Sequence, residues 1–121
     1  MNTFTIELTS EYAGWNRCNV RIMCELQDAS GNRTGFASTA EKDDSGCCRM
    51  TTMPCERVRV FIYVIPESLP ADRTVGNQPD FEALLRVRCG ERLIADERIE
   101  VNRWGGSSTE CMADSKGLIR E

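Results

Sequence analysis

The stretch Cys18-Asn19-Val20-Arg21-Ile22-Met23-Cys24-Glu25-Leu26 alternates along its length. Cys18, Val20, Ile22, Cys24 and Leu26 fall on one parity, and Asn19, Arg21, Met23 and Glu25 on the other. A period of two sends successive side chains to opposite faces of an extended chain, so the run reads as a half-buried β-strand. Asp28-Ala29-Ser30-Gly31-Asn32 follows it and supplies turn chemistry. Asx side chains bond to backbone N–H groups close by, and glycine takes positive φ without a steric cost.

The same reading extends to both sides of this run. Residues 4–8 alternate apolar and polar and predict a strand; 34–39 and 47–53 give weaker ones, the second stopped by Pro54. Residues 58–65 are rich in branched and aromatic side chains, and Pro66 ends them. From 67 to 79, Pro70, Gly76-Asn77 and Pro79 punctuate what reads as a long connection from one sheet to the other. Residues 80–90 fit a strand by the parity of Ala83, Leu85, Val87 and Cys89. Pro79 before Asp80, with Gly90 at the far end, would instead bound a short helix. Residues 93–101 form the next strand, joined through a tight Gly90-Glu91 turn.

Seven short strands with turn signals between them predict a mainly β chain. The expected architecture is a two-layer antiparallel sandwich, Ig-like or related. A small barrel, or an α+β fold with one short helix near 80–89, is the alternative. Residues 1–121 read as a single domain, ending in a polar, mobile tail from about 105 with Trp104 packed at its start.

Composition removes several chemistries. There are seven cysteines and no histidine among the 121 residues, so neither a Ser-His-Asp nor a Cys-His pair can be assembled, nor a His-ligated metal. The longest apolar run, 60–65, is far shorter than the roughly 20 residues a membrane helix needs. The start, Met1-Asn2-Thr3-Phe4-Thr5, carries neither a basic segment nor an apolar core. The expected compartment is the cytoplasm, or the exterior if a leader has been removed. A net charge of −4 argues against general nucleic-acid affinity. Thirteen of the fifteen basic residues are arginine, which favours forked contacts with carboxylates.

Four features bear on function. Cys18, Cys24 and Cys89 lie on the apolar parity of their strands and read as small buried hydrophobes. Cys47, Cys48, Cys55 and Cys111 fall in or beside expected loops, where they are candidates for a disulfide or a structural zinc. They lack knuckle spacing, and adjacent Cys47 and Cys48 fit one ion poorly. The strand through 57–65 has two unlike faces: Val58, Val60, Ile62 and Val64 for the core, and Arg57, Arg59, Phe61, Tyr63 and Ile65 opposite them. Arg57, Arg59, Phe61 and Tyr63 are the candidate binding residues, since guanidinium and aromatic groups on one face could bind an anionic partner or stack bases. Phe61, Tyr63 and Ile65 could instead be covered by the 67–79 connection, the first expectation for this face, or by a second subunit. Asp28, Asp43, Asp44, Asp72 and Asp80 sit at strand ends, but no loop has the dense aspartate spacing of a calcium site. No carboxylate pair stands out as a hydrolytic couple.

The sequence therefore predicts a non-catalytic domain that needs no cofactor. Its expected role is protein–protein contact with a partner or with itself, as an adaptor, structural subunit or inhibitor, without nucleic acid or membrane. An exported binding module stapled at its loop cysteines is the rival expectation.

Overall fold

Alternation of residue type becomes alternation of burial. In the computed structural model, which describes residues 2–66, 80–102 and 105–119, the chain forms β1 (Phe4–Thr9), β2 (Asn19–Gln27), β3 (Arg33–Thr39), β4 (Cys48–Thr51), β5 (Arg57–Ile65), β6 (Phe81–Cys89), β7 (Arg92–Val101), β8 (Ser107–Asp114) and β9 (Gly117–Leu118), with one 3-10 turn at Trp15–Arg17. Two antiparallel sheets result: a four-stranded one in the order β4-β1-β6-β7 and a five-stranded one in the order β3-β2-β5-β8-β9. This is a mainly β sandwich.

The parity read from the sequence selects the inner faces. Phe4, Ile6 and Leu8 of β1, Ile22 and Cys24 of β2, and Val58, Val60, Ile62 and Val64 of β5 are all fully buried in one apolar cluster. Each of the valine, isoleucine, leucine and phenylalanine side chains among them contributes roughly 1.5–3 kcal/mol on burial. Residues 81–89 form a strand and not a helix, because Ala83, Leu85 and Val87 are buried against that cluster from one face. β6 turns into β7 through Gly90 and Glu91, with Gly90 at φ 60° and Cys89 paired to Arg92. Glycine at the first central position with positive φ is the type II′ requirement, whose twist matches that of the flanking strands.

Three expectations need correcting. The segment from 105, read as a mobile tail, supplies β8 and β9. Its polar look arises because Ser108 and Glu110 face outward while Ala113 and half-buried Cys111 face the core. Nine strands therefore replace the expected seven. Cys111, placed beside a loop, lies within β8 opposite Val60; Cys48 likewise belongs to β4 and is fully buried. The 67–79 connection, with Asp72, and Trp104 lie outside the described residues. The strands on either side of that connection, β5 and β6, do belong to different sheets. Among the described residues no helix is long and apolar enough to cross a membrane.

Candidate functional site

β5 is the middle strand of the five-stranded sheet, flanked by β2 and β8. Its register sets what surrounds the predicted binding residues. Arg59 is opposite Glu25 on one side and Met112 on the other; Phe61 lies between Met23 and Glu110; Tyr63 lies between Arg21 and Ser108. Beyond β2, Phe36 pairs with Glu25 and Ser38 with Met23. Directly opposed residues share a face, so these side chains form one outward surface across four strands.

Arg59, Phe61 and Tyr63 are half-buried on this surface. Neighbouring side chains cover part of each, yet none of the three belongs to the core cluster or packs directly against it. The outward face is thus a surface with apolar content rather than a second core. Large apolar groups there are uncovered: Phe36 is 55 % exposed and Ile65 is 58 % exposed. Two shallow depressions of about 360 Å³ flank the aromatic row. One is formed by Met23, Phe36, Ala37 and Ser38, and the other by residues that include Arg21, Tyr63 and Ile65. A third, of about 420 Å³, runs from Phe36 to Met53, itself 74 % exposed.

Two of the arginines on this face have close partners. Arg59 Nε lies 3.3 Å from Glu110 Oε1, an ion pair whose alignment falls short of a hydrogen bond and leaves the buried Nε donor without one. Arg33 stacks its guanidinium 5.1 Å from the centre of the Phe36 ring. Arg57 behaves differently from its three companions. Its Nη2 donates to Gln27 Oε1 at 3.1 Å, Gln27 itself is buried, and a Cβ at Gly31 would come within 2.6 Å of Nη2. Arg57 is therefore held under the 28–32 turn, so its guanidinium braces that turn. The structure groups Arg59, Phe61 and Tyr63 and sets Arg57 apart.

Phe36, Met23 and Met112 complete the surface, and sequence reading singled out none of them as site residues. Met23 was visible on the polar parity of its strand. Phe36 and Met112 join it only through strand pairing, which a single strand's pattern does not reveal.

The candidate metal ligands are not assembled. All seven cysteines are free thiols, and among the described residues no three Cys, Asp or Glu side chains gather as a metal-binding set. Burial pushes the Cys24 thiol up to about 12 and those of Cys48 and Cys111 up to about 11. Desolvation of this kind makes them poor nucleophiles and poor ligands. Two of the strand-end aspartates, Asp28 and Asp43, are consumed by their own turns. Asp28 Oδ1 accepts from the N–H groups of Ser30 and Asn32, each at 2.9 Å. Asp43 Oδ1 accepts from Ser45 N–H, Ser45 Oγ–H and Cys47 N–H. Asp28 follows β2 and Asp43 follows its antiparallel partner β3, so they lie toward opposite ends of the sheet and cannot share an ion.

Compared with known protein families, with curated proteins and with solved structures, the chain gives no significant match to any.

Proposed function

We propose that this chain is a non-catalytic binding or assembly domain whose partner protein docks on the outward face of the five-stranded sheet, over Arg59, Phe61 and Tyr63. One observation carries the reading. Among the described residues four large apolar side chains are exposed; three of these (Phe36, Ile65 and Met53) lie on or beside this face, and Leu93 lies elsewhere. Apolar side chains left uncovered together, rimmed by arginine and glutamate, have the anatomy of a protein contact: an apolar centre and a polar rim. Aromatic and arginine side chains at the centre are the residue types that most often dominate such contacts. A sandwich of two antiparallel sheets is compatible with an Ig-like fold, and such a fold by itself names no partner.

The test is affinity capture from cells of the source organism, read by quantitative mass spectrometry, with three forms of the chain. These are the wild type, the double variant Phe61→Ser/Tyr63→Ser, and Leu93→Ser as a control that removes an exposed apolar side chain from the other sheet. The expected outcome is a protein retained by the wild type and by Leu93→Ser and lost by the double variant. The double variant should keep its cooperative unfolding, because neither side chain is in the core. No difference between the two variants, or collapse of the fold in the double variant, overturns the reading.

A further inference from the structure

A partner that covers Tyr63 also covers the residue opposite it, and a charge taken out of water without a counter-charge is costly. That residue is Arg21, exposed on β2. Across the strands from it stand Tyr63 and, beyond that, Ser108; along its own strand come Asn19 and Met23. Arg21, Tyr63 and the exposed Ile65 line one depression of about 360 Å³ together with Asn19, Val20 and Ala40. Among the described residues Arg21 forms no ion pair, either with Glu41 beyond Ala40 or with any other acid.

Other arginines of the two outer faces have what Arg21 lacks. Arg59 lies between Glu110, its ion-pair partner, and Glu25. Arg33 stacks on Phe36, which is directly across from Glu25, and Arg57 bonds to Gln27 and stands opposite Asp114. On the four-stranded sheet Arg49 and Arg88 share Glu7, Arg86 pairs with Asp96 and Arg98 with Glu82. The strands of the five-stranded sheet carry four arginines and three acids, so one positive charge is left over, and by position it is Arg21.

We infer, on the docking reading above, that the partner protein presents an aspartate or glutamate side chain to Arg21, next to an apolar residue that seats against Tyr63 and Ile65. One guanidinium offers one positive charge and a planar fork of donors, which match the single charge and two oxygens of a carboxylate. A phosphoryl group carries roughly two negative charges and would leave part of them unmatched. The same arrangement rejects wrong partners, because one without the acid leaves Arg21 covered and unpaired.

Phage-displayed random peptides, selected on the wild-type chain and counter-selected on Phe61→Ser/Tyr63→Ser, test this. Peptides that need the outward face are then titrated by calorimetry against the wild type and Arg21→Gln, each peptide with its acid intact or replaced by the amide. The expected result is a shared aspartate or glutamate beside an apolar residue. Either replacement weakens binding about tenfold, and the two together weaken it no further. Arg21 is exposed, so Arg21→Gln should keep the wild-type thermal transition, and its loss of affinity then reports binding rather than folding. Face-dependent peptides that share no acid, or whose acid matters as much to Arg21→Gln as to the wild type, overturn the inference and leave the docking reading standing. A selection that yields no peptide dependent on Phe61 and Tyr63 overturns both.

Discussion

Glu7 shows how a single residue ties three strands of the four-stranded sheet together. It sits on β1 between β4 and β6, and its carboxylate receives Arg49 Nη2 at 3.1 Å and Arg88 Nε at 2.9 Å. Burial raises its pKa, but the bonds from Arg88 and Arg49 outweigh that and hold it below the ordinary 4.5. A carboxylate depressed in the folded state stabilises the protein above its unfolded pKa and loses that contribution as pH falls through the folded value. Glu7→Gln should therefore cost about 1 kcal/mol near neutral pH, a magnitude set by partners that remain partly exposed. Urea unfolding of both forms should show the gap closing as pH drops below about 4.5. A gap independent of pH would mean that the side chain acts through packing and not through charge.

At the scale of elements, the cysteines are explained by the strands that carry them. Cys24 and Cys111 flank Val60 across β2, β5 and β8, all three on the inner face. Cys48 is an inward residue of β4, and Cys47, just before it, is buried as well. A thiol in such a place acts as a small hydrophobe. Alkylation of the native protein near pH 8, followed by mass spectrometry, should leave Cys24 and Cys48 unmodified, and all seven thiols should react once the chain is unfolded. Rapid native labelling of Cys24 would show that the sandwich opens locally. A native mass lowered by loss of hydrogen would show a bridge and revive the stapled-module reading.

For the whole molecule, the deciding element is the one that looked dispensable. β8 pairs with β5 from Arg57↔Asp114 to Val64↔Ser107, closing the open side of the central strand. Truncation after Asn102 removes that ladder and uncovers Val58, Val60, Ile62 and Val64 along one side. Losses of several kcal/mol are expected from core exposure on this scale, against a total stability of about 5–15 kcal/mol. The truncated chain should therefore lose its cooperative thermal transition by circular dichroism. A truncated chain that melts cooperatively would return residues 105–121 to the status of a tail.

Period-two alternation by itself marked the strands at 4–8 and 18–26 and the inward faces of 18–26 and 58–65, because burial of one strand face is a local consequence of side-chain parity. It left 34–39 and 47–53 weak and 80–90 open between strand and helix. The Asp28–Asn32 turn and the Gly90-Glu91 turn were legible for the same reason, since turn chemistry is written in adjacent residues. Only the tertiary structure decided the rest. β8 was hidden because serine and glutamate stand on its outward face, its large apolar residue Met112 points outward with them, and its inward residues are small, so the apolar signal falls below what a single strand needs. Arg57 separated from Arg59 because the 28–32 turn folds over one guanidinium and not the other. Phe36 and Met112 joined Phe61 and Tyr63 through inter-strand register, a relation between residues far apart in sequence. Parity is a property of one strand, whereas a surface belongs to the strands that pairing brings side by side.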